Sequence, residues 1–90
     1  WYVYLLRCKD NSLYTGITTD LYRRMEKHRS GNGSKYVSAH GFGKLLYATS
    51  AETQSEAAKT EHEVKQLHSH RKKQWFKKRE LAYQSLDLSW

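Results

Sequence analysis

A chain of 90 residues, 38% hydrophobic and 28% charged, is one ordinary globular domain, too short for two cores and too apolar for a disordered tail. No apolar run approaches the roughly 18 residues of a membrane span, and the single cysteine, Cys8, excludes an internal disulfide and suits a reducing, cytoplasmic setting. A net charge of +7 beside seven tyrosines and three tryptophans favours nucleic acid as partner, because phosphates seek Lys and Arg while unstacked bases seek aromatic faces.

In chain order, Trp1 to Cys8 reads as a strand, Lys9-Asp10-Asn11-Ser12 as a turn and Leu13 to Thr18 as a second strand, together a β-hairpin. Gly16 weakens its strand unless another group must approach the backbone there, so it is a first hint of a site. Cys8 falls in an apolar strand and is expected to be a buried, unreactive thiol. Thr18-Thr19-Asp20 offers N-caps for a helix to about Arg29, closed by Ser30-Gly31. On that helix Leu21, Arg24, Met25 and His28 share one stripe, which sets Arg24 and His28 at the edge of the buried seam and leaves Arg23, Glu26 and Lys27 on the wet side.

Residues 31–42 form a glycine-flanked connector with room for one helical turn from Ser34 to His40. Lys35 and Tyr36 there suit either a phosphate-approaching loop or a plain surface loop. Lys44 to Thr49 reads as a third strand, joining the hairpin in a small antiparallel sheet. A long helix is expected from the capping box Thr53-x-x-Glu56 to about Leu86, with Ala57, Ala58, Val64 and Leu67 as its apolar stripe and Trp75, Phe76 and Leu81 as packing anchors. Glu61 falls on that stripe, whereas Glu63 points outward with Lys59 and Gln66. A carboxylate there is expensive unless it is paired with a cation of the core rim or bound to metal. Between residues 71 and 79 six basic residues surround Trp75 and Phe76, and Arg71, Lys72, Lys73 and Lys77 make a phosphate-backbone footprint or, more plainly, a solvated basic helix face. No His/Cys spacing suggests a zinc site. The whole of residues 1–90 is thus expected to be one α+β domain, a small three-stranded antiparallel sheet flanked by helices.

Tyr2-Val3-Tyr4, then Tyr14-Thr15-Gly16 about ten residues on, then Arg24-x-x-x-His28 and a downstream Glu61, resemble the GIY-YIG nuclease family, in particular its small single-domain bacterial members. The likeness runs over residues 1 to about 70. Tyr2, Val3 and Thr15 depart from the family's two name-giving triplets, and the family's asparagine beyond the glutamate has no counterpart, since Asn11 and Asn32 both lie upstream of Glu61. The resemblance implies one active site holding Tyr4, Tyr14, Arg24, His28 and Glu61. A two-residue turn at Asp10-Asn11 would pair Leu6 with Thr15 and part the two tyrosines, so the odd register, with Tyr4, Leu6, Tyr14 and Gly16 on one face, is expected instead. By the same resemblance Glu61 would bind one divalent ion, Mg²⁺ or Mn²⁺, Arg24 would hold the scissile phosphate, and Tyr4 or Tyr14 would serve as base or hold the attacking water, with His28 in the proton relay. The implied activity is metal-dependent hydrolysis of DNA, with single-stranded or branched DNA as the favoured form. The alternative is a non-catalytic nucleic-acid-binding module on the same scaffold.

Overall fold

A computed structural model describes residues 1–79. Strand β1 (Tyr2–Cys8) lies in the middle of a three-stranded antiparallel sheet, flanked by β2 (Leu13–Thr18) and β3 (Phe42–Ser50). Its sequence suits the place, because an apolar residue at nearly every position can bury both faces of a central strand. Tyr4, Leu6 and Cys8 face one layer of helices, while Val3 and Leu5 face the other. The first layer is α1 (Leu21–Arg29) and α2 (Lys35–His40), anchored by Leu21, Met25 and Val37; the second is α3 (Gln54–Lys65) and α4 (Ser69–Lys77), anchored by Ala57, Val64 and Phe76.

Three helices begin where a side-chain oxygen takes up a free backbone N–H: Asp20 accepts from Arg23, Ser34 from Val37 and Thr53 from Glu56. The hairpin loop is three residues, Lys9 to Asn11, with Asn11 in the left-handed region at φ 70° and Cys8 N–H donating to Ser12 O at 2.8 Å. Asp10 Oδ1 accepts from both the backbone N–H and the hydroxyl of Ser12, which fixes the turn. This odd-length loop sets the register Tyr4↔Gly16 and Leu6↔Tyr14, as expected, so both tyrosines share a face. On the other side a bulge between Leu5 and Leu6 lets Leu45 join the first layer while Leu46 and Tyr47 join the second.

Two expectations are corrected. The long helix is broken: α3 ends at Lys65, and α4 begins at Ser69 on a different part of the sheet, with Phe76 stacked on Tyr47 of β3. Ala58 is exposed rather than part of the apolar stripe, because the face of α3 that meets the sheet runs through Ala57 and Val64. The expected continuation to Leu86, with Leu81 as anchor, lies outside the described residues. Cys8 is buried, and burial pushes its thiol pKa up, as an unreactive core cysteine requires.

Candidate active site

The hairpin and α1 together build a polar chain, buried at Tyr4 and His28 and half-buried at Arg24. Tyr4 is wholly buried, and its hydroxyl lies 2.8 Å from His28 Nε2. Arg24 Nε donates to the same hydroxyl at 3.4 Å. Because Arg24 only donates, the phenol proton is left to point at His28, which makes Nε2 the acceptor and Nδ1 the protonated nitrogen. Burial, partly offset by Arg24, pushes the Tyr4 pKa up to about 12. Burial, reinforced by the Arg24 charge, pushes His28 down to about 4. At neutral pH the pair is therefore an intact phenol and a neutral imidazole. His28 is 1% exposed, deeper than the seam edge where its helix position placed it, and Nδ1 has no partner among the described residues.

Two glycines make this packing possible. A Cβ at Gly16 would overlap the Tyr4 hydroxyl, and one at Gly33 would overlap His28 Nδ1. The hint at Gly16 is thus given a cause: the group approaching its backbone is the Tyr4 side chain. The role of Gly33 was hidden in the sequence, since one of three glycines in a connector carries no mark of what it packs against.

Tyr14 is more accessible than Tyr4 and His28. Half-buried, its ring centre lies 6.3 Å from that of Tyr4 and 5.6 Å from that of His28. On its outer side Tyr36 stacks at 5.7 Å and His40 stacks on Tyr36 at 4.1 Å, and the column is tied to the hairpin loop by the hydrogen bond between His40 Nδ1 and the Asp10 carboxylate. The Ser12 and His40 hydrogen bonds hold the Asp10 carboxyl well below the usual carboxylate range. Lys35 is exposed at the start of α2.

Glu61 arrives from the other layer of helices. Its helix lies chiefly against β2, the sheet edge, and Glu61 comes round that edge: its Oε2 is 3.5 Å from Lys65 Nζ, which in turn sits 5.9 Å from the centre of the Tyr14 ring. The negative charge also acts on the Tyr4 phenol, one of the causes of its raised pKa. Lys65 was overlooked in the sequence, although its position four residues beyond Glu61 is the usual spacing for a helical ion pair. Of the α4 cations, Lys72 is partly buried, and its pKa is lowered by burial and then by the charge of Lys65. Arg71 and Lys77 are exposed and Lys73 is partly buried, all on the helix that packs against the opposite sheet face from Tyr4 and His28.

The sheet hairpin thus carries paired tyrosines, the next helix brings an arginine and a histidine against them, and a later helix brings a glutamate to the same edge. The chain belongs to the GIY-YIG nuclease family: the model of the GIY-YIG catalytic domain matches residues 1–74. Among its relatives, a UPF0213 protein of Cronobacter sakazakii is 42% identical over 86 residues, covering 96% of this chain and 90% of that protein. The UPF0213 protein BH0048 of Halalkalibacterium halodurans is 47% identical over 73 residues, covering 81% of this chain and 78% of that one. The solution NMR structure of UPF0213 protein BH0048, from Bacillus halodurans, superposes with a TM-score of 0.54 at 42% identity, covering 98% of this chain and 95% of that chain. The α+β fold expected from the sequence is the fold of this neighbour.

Proposed function

We propose that the chain, as a single domain over residues 1–90, is a divalent-metal-dependent endonuclease that hydrolyses DNA phosphodiester bonds and favours single-stranded or branched DNA. The observation that carries this reading is the Arg24–Tyr4–His28 chain, with Tyr4 and His28 buried and Arg24 half-buried, placed beside the half-buried ring of Tyr14. Hydrolysis at phosphorus needs charge neutralisation, a positioned water and a path for its proton. Arg24, anchored through Nε, presents the rest of its planar fork to a phosphate. Tyr14 has the exposure to meet the substrate and orient water. Tyr4, walled off and held protonated, serves as the link that fixes Arg24 while its hydroxyl donates a hydrogen bond to the neutral Nε2 of His28.

No group of three or more His, Cys, Asp or Glu capable of holding a metal occurs among the described residues. A lone carboxylate does not fit zinc, but it fits Mg²⁺ or Mn²⁺, hard ions that are bound through one or two carboxylates together with water and substrate phosphate. Glu61 would hold that ion, which as a Lewis acid would add charge stabilisation at the scissile group. Lys35 and Tyr36 would contact the nucleic acid beside the site, and Arg71, Lys72, Lys73 and Lys77 would add to its attraction. No described helix is long and apolar enough to cross a membrane, and a free buried thiol at Cys8 supports a cytoplasmic setting.

The test is cleavage of end-labelled DNA with Mg²⁺, with Mn²⁺ and with chelator. Cleavage confined to the metal-containing lanes is expected. Binding without cleavage of any single-stranded, duplex or branched DNA or RNA would return the chain to the class of non-catalytic modules, a reading favoured only by the existing Glu61–Lys65 pair.

A further inference from the structure

Thr18, Thr19, Asp20, Arg23, Arg24 and Lys27 line a cleft of about 300 Å³ between the β2–α1 turn and the outer side of α1. The carboxylates nearby are already engaged. Asp20 Oδ1 caps the helix by accepting from the Arg23 backbone N–H at 3.1 Å, and Glu26 is held by Arg29 at 3.0 and 3.2 Å. The side chains of Arg23 and Lys27 have no ion-pair partner among the described residues. Arg23 and Lys27 are four residues apart and so lie on one face of α1, one turn long, and the cleft they share with Arg24 opens beside the arginine that holds Tyr4.

A linear polyanion with one phosphate on Arg24 must carry its neighbours past that point. Its phosphates rise about 3.4 Å per nucleotide in a stacked strand, so one helical turn of about 5.4 Å spans one to two nucleotide steps. We infer that Arg23 and Lys27 hold the phosphate next to the one at Arg24, so that the nucleic-acid strand runs along the outer side of α1 rather than across α4. The inference rests on the nucleic-acid reading of the site. It shifts the footprint from the helix with the most basic sequence to the one whose uncommitted cations adjoin the reacting group; α4, on the opposite face of the sheet, is left as a source of general attraction.

Binding of a fluorescein-labelled 12-mer oligodeoxynucleotide, followed by anisotropy in chelator across a salt series, tests this on the full chain. The double variant Arg23→Gln/Lys27→Gln is compared with a charge-matched control, Lys44→Gln/Lys59→Gln, all with melting curves. The expected result is a log–log salt slope reduced by about 0.7 per removed cation for a single strand, about 0.9 for a duplex, with affinity down about tenfold or more and an unchanged slope in the control. An unchanged slope in the Arg23/Lys27 variant, or an equal loss in the control, overturns the assignment. So does a variant that keeps its oligonucleotide affinity but loses binding to poly-glutamate, which would make the cleft a site for acidic protein. The nuclease reading fails separately: a wild-type chain that binds with the expected dependence on Arg23 and Lys27, yet cleaves nothing when Mg²⁺ or Mn²⁺ is added, upholds the strand path and removes the catalysis.

Discussion

Replacing Glu61 by Gln separates two roles open to a carboxylate on the sheet-facing side of a helix. Were it the sole partner of a buried cation, Gln would leave that charge stranded and cost about 3–5 kcal/mol. Its partner Lys65 is instead 51% exposed and can turn to water, so the change in stability should stay within about 1 kcal/mol. Cleavage should nevertheless fall by about 100-fold or more, because the proposed ion supplies several kcal/mol at the transition state. Oligonucleotide binding in chelator should be equal or slightly tighter. Full cleavage by a folded Glu61→Gln protein removes Glu61 from the metal role. His28 yields a prediction of a different kind. With a folded pKa of about 4 against an ordinary 6.5, the unfolded chain takes up a proton between those values and the folded chain does not, so stability is lost as pH falls from about 6.5 to 4. The loss approaches about 3 kcal/mol at the lower end. Thermal melts from pH 7 to 4.5 should show this fall in the wild type and a flatter profile in His28→Gln; parallel profiles would mean that His28 is not held neutral. Asp10, with its depressed pKa, loses its contribution as pH falls from the ordinary carboxylate range downward, which lies almost wholly below the pH 7 to 4.5 scan.

At the scale of the elements, the two glycines that admit Tyr4 and His28 differ in kind from Gly31. Gly31 needs its freedom of backbone, at φ 85°, and a Cβ there meets only Ser38 Oγ at 3.8 Å, whereas Gly16 and Gly33 need empty space. Gly33→Ala and Gly16→Ala should each cost about 1–3 kcal/mol by overpacking and should lose cleavage beyond what the lost stability explains, since they displace the Tyr4–His28 pair. Gly31→Ala should cost about 1–2 kcal/mol and leave the chemistry intact. Melting temperature and kcat measured together check this, and equal kcat in Gly31→Ala and Gly33→Ala would deny Gly33 a positioning role. The strands and α1 were legible because local chemistry sets them, through capping side chains and alternation of faces; the register followed only from the family resemblance, which asks for both tyrosines on one face. The break between α3 and α4 was not. Residues 66–68, Gln-Leu-His, contain no helix breaker, and the chain has no proline at all. The helix stops for a tertiary reason, since an unbroken helix from Gln54 to Lys77 would be about 36 Å long, beyond the 28 Å longest extent of the described residues. Phe76 could not then reach Tyr47. Likewise Tyr4, Tyr14, Arg24 and His28 were brought together by the family resemblance of their motifs, whereas Gly33 and the approach of Glu61 round the edge of β2 depend on packing between elements distant in sequence.

For the molecule as a whole, the question is which form of nucleic acid its surface can use. The column Tyr14–Tyr36–His40 runs from the candidate site, with Tyr36 40% exposed and His40 stacked on it and held by Asp10. A base stacked inside a duplex cannot extend such a column, and an unpaired one can. Stacking on an aromatic side chain is worth about 1–3 kcal/mol per base, so kcat/KM for a single strand or a branch with unpaired nucleotides should exceed that for duplex of the same sequence by about tenfold or more. The phosphate contacts are common to all forms and cannot create this preference; they set only the steep fall of affinity with salt. Shortening the column with Tyr36→Ala should therefore erase the preference by lowering the single-strand value alone, with duplex cleavage, salt slope and melting temperature little changed, because Tyr36 lies outside the buried core. Equal losses on both substrates would mean that Tyr36 acts by holding Tyr14 in place. Equal cleavage of single strand and duplex by the wild type would remove the proposed preference while leaving the nuclease itself untouched.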